Sequence, residues 1–471
     1  MKKSSLLALV WLCSALAFVS AQAGYNIRVT INGYDQPELY LAYYLGDKQY
    51  IQDTVARSAD GSYTFSGDEP LPGGMYLVVM APDNNFFQIL VDDQNQRFRV
   101  WADKTDPLKD TRFEGSLDND LFYNYLRYLG EQRPKADELQ KQIDAETSVK
   151  KKERLEADLK ALNEDVASYQ RKVVANHANT LTAAIIRANM PADVPAFEGD
   201  EKEVEIKRWR WTQQHFFDQI NLGDPRLLRT PFFFQRIDTY VQKLNVQHPD
   251  TLIGVVDEVL RRVQPAPETF KFYLVHFLNF YAQSKYVGMD AVYVHLVDTY
   301  YSKGMAPWVE EEQLQKIMDN ANTLRPLLIG RIAPDLRLQR RDGTPVSLHE
   351  VKSPYTILYF WRYDCGHCKE STPIMKTFYE NFKDKGVTMF SICTKTRDEI
   401  PGCWDYIDTN GIGDWLHTVD PYMRSRYNSI YDIRSTPQIY ILDANKRILY
   451  KRVGAEQLEG IFNQLLEIKA E

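Results

Sequence analysis

Residues 359–369 read YFWRYDCGHCK, the end of an apolar run followed by two cysteines three positions apart. Residues i and i+3 lie on one face of a helix, so the sulfurs of Cys365 and Cys368 can meet and close a disulfide. At a helix N-terminus, unpaired backbone N–H groups and the helix dipole favour negative charge, so the pKa of Cys365 should fall. An exposed thiolate of low pKa beside a second, resolving thiol is the arrangement that carries out thiol–disulfide exchange.

The residues around the two cysteines predict an alternation of strands and helices. Before them, 355–361 has the apolar composition of a buried strand. After them, apolar residues recur at helical spacing until Gly386, which ends the helix. The later segments predict three strands and a closing helix, namely 387–392, 438–442, 448–453 and 458–468. This order, βαβ followed by ββα, is that of a thioredoxin fold.

From about Ile329 onward, the chain resembles the membrane-anchored or periplasmic thioredoxins of the TlpA/ResA type. The matching features are Ala333-Pro334-Asp335, Asp342-Gly343, Trp361, Cys365, Cys368, Pro373, Thr436-Pro437 and Gly454. The resemblance implies that Pro437 is a cis-proline that lies against the cysteine pair and presents backbone groups to an extended substrate strand. It also implies protein thiols and disulfides as substrates and a redox partner in the membrane. No cofactor or metal is expected.

The chain departs from this family at positions that matter for proton transfer. Tyr359 stands where thioredoxin has a buried aspartate, and Ser371 stands where some members have a glutamate, with Glu370 one position early. The proton-transfer partner of Cys368 is therefore left open. Asp364 replaces the usual tryptophan before the first cysteine, and its carboxylate is expected to oppose thiolate formation.

His367 gives the motif the Gly-His dipeptide of protein disulfide isomerase. A cationic histidine near the helix N-terminus would stabilise the Cys365 thiolate and make the disulfide more oxidising. We therefore expect a reduction potential between about −270 mV, typical of thioredoxin, and about −180 mV, typical of disulfide isomerase. The sequence leaves the direction open among reduction, oxidation and isomerisation of substrate disulfides.

Other functions are compatible with parts of this pattern. A Cys-x-x-Cys pair can be half of a zinc site, but only Cys393, Cys403 and scattered histidines could complete it. A structural disulfide would not explain the strand–Cys-x-x-Cys–helix order followed by Thr-Pro. A thiol peroxidase lacks support, because residues 359–365 do not form the Pro-x-x-x-Thr-x-x-Cys context of that family. The main alternative is an envelope protein that binds clients and carries an accessory redox domain.

A second disulfide is predicted between Cys393 and Cys403. Cys393 follows the apolar strand 387–392, and Cys403 follows a turn containing Pro401-Gly402, so a short loop could bring the sulfurs together. A structural role is favoured over a relay to the first pair. Two free buried thiols are the alternative, since cysteine also packs as a small apolar residue.

The N-terminus has the pattern of a secretory signal peptide. Met1-Lys2-Lys3 precedes an apolar segment, 6–19, and the small-residue site Ala21-Gln22-Ala23, which predicts cleavage before Gly24. The segment is too short for a transmembrane helix. Cys13 lacks the small residues that a lipobox places before its cysteine, so a lipoprotein is not expected. The family resemblance suggests the periplasm of a Gram-negative bacterium.

The chain ahead of the redox segment predicts two more domains. Residues 25–114 alternate apolar and polar side chains between turn residues, which indicates a small β-sandwich. Residues from about 116 to 325 have helical periodicity, including a heptad seam over 155–173 that we expect to pack within the chain. Both segments resemble domains of unknown function that accompany such thioredoxins, and their many aromatic residues are expected to be core.

These observations predict a multidomain α+β chain. Its expected parts are a signal peptide at 1–23, a β-sandwich at 24–115, an all-α domain at 116–326 and a thioredoxin-like α/β domain at 327–471. The length of 471 residues suits about three domains, and 44% hydrophobic residues suffice for full cores. The net charge of −7 gives no indication of nucleic-acid binding. The oligomeric state is left open.

Overall fold

The computed structural model describes residues 24–93, 95–190 and 194–468. The predicted signal peptide, including Cys13, lies outside the described residues. The chain divides into two compact units, of which one ends at Tyr240 and the other begins at Val241. Within the described ranges, no helix has the length and apolar character needed to cross a membrane.

The first unit begins with two four-stranded sheets. Their strands are β1 Tyr25–Asn32, β2 Glu38–Leu45, β3 Lys48–Ala56, β4 Tyr63–Gly67, β5 Gly74–Met80, β6 Asn85–Val91, β7 Arg97–Asp103 and β8 Arg112–Glu114. A short helix, α1 (Pro107–Asp110), precedes β8. One sheet has the order β4-β1-β7-β8 and the other has the order β3-β2-β5-β6.

The two sheets bury their facing sides in one common core. In β1, the side chains of Ile27, Val29 and Ile31 are buried, and the residues between them are not. Buried residues of the other sheet, such as Leu41 and Val78, belong to the same cluster. The alternation follows from the two-residue period of a strand, and it confirms the predicted β-sandwich.

In the described part of the first unit, five longer α-helices follow the sheets. They are α2 Leu117–Ala145, α3 Val149–Asn176, α4 Leu181–Asn189, α5 Glu201–His215 and α6 Pro231–Asp238. The heptad seam lies on α3 and packs against α2 of the same chain. There Tyr169 stacks on Tyr128 with ring centroids 4.1 Å apart, and Gln170 Nε2 donates to the Tyr125 hydroxyl at 2.9 Å.

Among its described residues, the second unit opens with four α-helices. They are α7 Pro249–Val263, α8 Pro267–Ala282, α9 Asp290–Leu296 and α10 Glu311–Leu324. The aromatic side chains predicted as core are buried here, among them Tyr273, Phe277, Tyr281, Tyr293 and Tyr301.

The rest of the second unit is a seven-stranded sheet flanked by helices. In chain order its elements are β9 Arg337–Gln339, β10 Pro345–Ser347, β11 Tyr355–Trp361, α11 Gly366–Phe382, β12 Val387–Cys393, α12 Ile400–Asn410, β13 Leu416–Val419, α13 Tyr427–Ile430, β14 Gln438–Asp443, β15 Ile448–Lys451 and α14 Leu458–Ile468. The strand order is β10-β9-β13-β12-β11-β14-β15. β11 runs parallel to β12 and antiparallel to β14.

The central strand β11 is buried on both faces. Ile357, Tyr359 and Trp361 face a core that includes residues of α11, α12 and α14, whereas Leu358 and Phe360 face a second core. A strand that is covered on both faces has a continuous apolar sequence, which explains the composition of 355–361. Gly386, with φ of +89°, ends the helical segment after α11.

Cys393 and Cys403 form the predicted second disulfide. Cys393 is the last residue of β12 and Cys403 lies in α12, with their Cα atoms 6.4 Å apart. That separation lies within the limit of roughly 7 Å for a disulfide. The bond closes a short segment, 393–403, at the end of β12.

Candidate active site

Cys365 lies at the junction between β11 and α11. It is the N-cap residue of α11, and its Sγ accepts a hydrogen bond from the Cys368 backbone N–H at 3.4 Å. An N-cap side chain meets the unpaired N–H groups of the first helical turn, where negative charge is favoured. Cys368 is one turn along and is fully buried. Both cysteines are free thiols in this structure.

The loop that contains Pro437 contacts this pair, and the contact is made by Thr436, the residue before Pro437. The Thr436–Pro437 peptide bond is cis, as the resemblance implied. The Cys365 thiol donates to the Thr436 carbonyl oxygen at 3.2 Å, so the first sulfur and the loop before β14 are in direct contact. The structure therefore brings Cys365 and Cys368 together with the loop that contains Pro437.

The two thiols have opposite pKa shifts. Burial acts to raise the pKa of the Cys365 thiol, but hydrogen bonds from Cys368 and the nearby charge of Arg362 outweigh it and leave the pKa below its ordinary value. Burial raises the pKa of the Cys368 thiol to about 12. The arrangement thus has one thiol ready to ionise and one that stays protonated at neutral pH.

His367 is placed differently from the other three residues. Its imidazole is 85% exposed, and Nδ1 lies 3.3 Å from a Glu370 carboxylate oxygen. Solvent and this carboxylate both weaken the influence of an imidazolium charge on the sulfur of Cys365.

Family models match three successive parts of the chain. Residues 329–451 match the AhpC/TSA family, residues 124–325 match a domain of unknown function, DUF5106, and residues 25–122 match another, DUF4369. The chain is 24% identical over 144 residues to the thiol-disulfide oxidoreductase ResA of Oceanobacillus iheyensis, which covers 29% of this chain and 72% of the relative.

A solved domain of a possible thiol-disulfide isomerase from Cytophaga hutchinsonii is 35% identical in sequence, with 31% of this chain and 99% of that chain covered and a TM-score of 0.29. The chain belongs to the thioredoxin-like thiol–disulfide oxidoreductases. A solved thioredoxin-like protein from Bacteroides caccae covers 58% of this chain and 98% of its own length, at 16% identity and a TM-score of 0.42.

In this oxidoreductase, the family's proton-transfer positions carry no buried carboxylate. Tyr359 is buried in the same core as Cys368, and burial together with the nearby thiol raises its pKa far above neutral pH. It therefore stays protonated and does not act as a base. Ser371 carries a hydroxyl, and Glu370 is exposed and pairs with His367.

Two cationic side chains compensate the negative charge of Asp364, the residue before Cys365. Lys395 Nζ lies 2.9 Å from Asp364 Oδ2, and Arg362 Nε lies 3.4 Å from Oδ1. The hydrogen bond from Lys395, followed by its charge, lowers the pKa of Asp364. The expected opposition to thiolate formation is thus offset by a cation that sequence reasoning missed.

The segment closed by the second disulfide holds this cation in place. The Lys395 side chain is only 13% exposed, and its Nζ also bonds Glu399 Oε1 at 2.6 Å. The Thr394 backbone N–H donates to the Trp361 carbonyl oxygen at 2.8 Å. A Cβ atom on Gly402 would lie 2.7 Å from the Tyr363 ring, so this close packing requires glycine. The second disulfide and the loop before Cys365 therefore form one packed structure.

Proposed function

We propose that this oxidoreductase exchanges disulfides with exported proteins through the Cys365–Cys368 dithiol. The observation that carries the proposal is the asymmetry of the pair, in which an N-cap thiol of lowered pKa stands before a fully buried thiol of raised pKa. A nucleophile must be available as thiolate, whereas a resolving thiol is best kept protonated until a mixed disulfide forms.

The exchange proceeds in two displacements. The Cys365 thiolate attacks one sulfur of a substrate disulfide, forms a mixed disulfide and releases the other substrate sulfur as a thiolate, which takes a proton. Cys368 then loses its proton and attacks the Cys365 sulfur, so that the second substrate sulfur leaves. The substrate gains two electrons and two protons, and the enzyme ends as the Cys365–Cys368 disulfide. The reverse sequence oxidises a substrate dithiol.

Pro437 and His367 have supporting roles in this proposal. Pro437 presents the backbone around it to an extended substrate strand next to the sulfur of Cys365, and the contact between Cys365 Sγ and the Thr436 carbonyl supports that placement. A protonated His367 would place positive charge near the N-terminus of α11. Oxidation and reduction need different membrane partners, one that accepts electrons and one that supplies them.

We place the protein in the periplasm, exported by the signal peptide of residues 1–23. The disulfide between Cys393 and Cys403 supports an oxidising compartment, since stable disulfides are rare in the cytosol. The domain boundaries 24–115, 116–326 and 327–471 are part of the same proposal, and the family models at 25–122, 124–325 and 329–451 support them.

Catalysed reduction of insulin by dithiothreitol tests the proposed function. The full chain is expected to accelerate precipitation of the insulin B chain well beyond dithiothreitol alone. The same rate with and without the protein, together with no catalysed oxidation of a dithiol peptide, would contradict the proposal.

Replacing His367 with proline is expected to lower the reduction potential toward thioredoxin values, and only slightly, because the imidazole is 85% exposed and pairs with Glu370. The direction follows because a charge supporting the Cys365 thiolate is removed, which destabilises the reduced form. Glutathione titrations of both proteins measure the difference. An unchanged potential would mean that the exposed imidazole, paired with Glu370, has no influence on the sulfur.

Replacing Lys395 with methionine is also expected to lower the reduction potential, because Asp364 then loses the closer of its two cationic partners and opposes the Cys365 thiolate more strongly. Partly exposed charge pairs contribute about 0.2–1 kcal/mol. At about 1.4 kcal/mol per 30 mV, that corresponds to a shift of roughly 5–20 mV. The Lys395→Arg variant keeps the charge and should keep the potential.

A double-mutant cycle separates this electrostatic role from a structural one. In an Asp364→Asn background the ion pair that holds Lys395 beside the active-site loop is gone, so the downward shift caused by Lys395→Met should be smaller there than in the wild-type background. Equal downward shifts in both backgrounds would show that Lys395 acts through the packing of the segment 393–403 instead.

A further inference from the structure

A cleft of about 810 Å³ opens beside the reactive thiol, within the unit that begins at Val241. One wall belongs to the thioredoxin-like part and includes His367 and Ile374 of α11, Ser435, and the residues 437–439 and 451–456. The opposite wall is formed by residues 284–288, which follow α8 in the helical part of the chain. The cleft is therefore shared between the redox fold and a helical segment outside it.

The helical wall is fixed against the redox fold by a buried ion pair. The ammonium of Lys451, at the end of β15, contacts the Asp290 carboxylate and donates to the Leu327 carbonyl oxygen at 2.7 Å. The Lys451 side chain is only 5% exposed. Since breaking a buried pair leaves an uncompensated charge, the spacing of the two walls is set by the fold.

The lining of the cleft presents apolar side chains to solvent. Tyr286 is 77% exposed, Val287 is 43% exposed, and Ile374 on the opposite wall is 43% exposed. Exposed apolar side chains scattered singly are normal, but three that line one cleft mark a binding surface.

The charges around the cleft largely compensate one another. Asp432 pairs with both Arg434 and Arg452. Glu370 contacts His367, and Lys285 and Glu456 bear opposite charges. The lining therefore offers no net charge that would select an acidic or a basic partner, so its exposed apolar side chains are what can favour one client segment over another.

The position of the cleft relative to Cys365 indicates which kind of ligand it binds. Pro437 lines the cleft and directly follows Thr436, whose carbonyl oxygen contacts Cys365 Sγ, so the cleft begins one residue away from the peptide group that touches that sulfur. A volume of about 810 Å³ is within the range of pockets for small ligands, roughly 300–1,000 Å³. Such a space admits a short extended segment of chain and excludes a folded domain.

We infer that the cleft binds an extended, cysteine-containing segment of a client protein, with an apolar side chain beside the cysteine packed against Tyr286, Val287 and Ile374. This inference rests on the proposed function, because it names the substrate of the same thiol. The helical segment then acts as a specificity wall that favours unfolded or loosely folded clients with apolar residues near their cysteines.

Two short peptides of equal length test the inference. Each carries one cysteine in a mixed disulfide with glutathione, flanked by leucines in one peptide and by serines in the other. The reduced full chain should react faster with the leucine peptide by about tenfold, since burying one leucine is worth at least about 1.4 kcal/mol. The measured quantity is the ratio of the two second-order rate constants.

The variant Tyr286→Ser/Val287→Ser should bring this ratio close to one. Tyr422→Ser is the matched control, since Tyr422 is also an exposed tyrosine of this unit but does not line the cleft, and it should keep the wild-type ratio. A wild-type ratio near one, or an unchanged ratio in the double variant, would overturn this inference alone. Reaction with neither peptide would overturn the proposed function as well.

Discussion

Replacing Cys365 with serine should abolish the reduction of insulin, because no other described thiol combines an N-cap position with a lowered pKa. Serine retains the size of the side chain but is not nucleophilic at neutral pH, so the first displacement cannot occur. The insulin assay measures the loss. A client-binding protein with an accessory redox domain would keep its cellular function in this variant, so complementation of a deletion strain separates the two accounts.

The Cys368→Ser variant should have a different defect. Its nucleophile remains, but the resolving thiol is gone, so client proteins should accumulate as mixed disulfides on Cys365. Trapping in the native compartment, followed by non-reducing electrophoresis, detects these adducts. Cys365→Ser is the matched control and should capture nothing. Capture by Cys365→Ser alone would reverse the assignment of nucleophile and resolver.

Removing the second disulfide is expected to have the largest effect on stability. The Cys393→Ser/Cys403→Ser variant should lose about 2–3 kcal/mol of unfolding free energy, because the bond closes a segment with a sequence separation of 10 residues. Guanidinium unfolding of the oxidised proteins measures the loss. The reaction of Cys365 with a disulfide substrate should slow as well. The reason is that this segment positions Lys395 and packs against the Tyr363 ring, two residues before Cys365.

The control for this variant is Cys365→Ser/Cys368→Ser, which keeps the second disulfide. It should unfold at nearly the wild-type midpoint. An unchanged midpoint in the Cys393→Ser/Cys403→Ser variant would show that the bond does not restrain the chain around the active site.

The redox domain could be predicted in outline because its signals are local. An apolar run marks β11, a Cys-x-x-Cys pair marks the start of α11, and Gly386 marks the end of that helical segment. The disulfide between Cys393 and Cys403 was also predicted correctly, although Pro401 and Gly402 lie in the first turn of α12 and not in the turn that the sequence indicated.

The sequence analysis did not predict those secondary-structure elements that form only by pairing with residues far away in the sequence. β13 has only four residues, Leu416–Val419, and becomes a strand through pairing with β12 rather than through its own composition. The strands β9 and β10, of three residues each, are short in the same way. The predicted strand 448–453 ends at Lys451, where the side chain turns inward to Asp290.

The electrostatic environment of the site could not be predicted from spacing alone. Lys395 meets Asp364 only because β12 lies beside β11 and its following segment folds back over the end of that strand. The contact of Tyr286 and Val287 with the same cleft as Ile374 likewise depends on tertiary packing. Sequence reasoning placed a carboxylate beside the nucleophile but could not see the cation that offsets it.

A glutathione titration of the full chain tests the central claim most directly. The account predicts one reversible two-electron transition, with Cys365 and Cys368 as the residues that change state and Cys393–Cys403 intact throughout. The midpoint should lie between about −270 and −180 mV. A transition confined to Cys393 and Cys403, or no reversible transition of Cys365 and Cys368, would contradict the account.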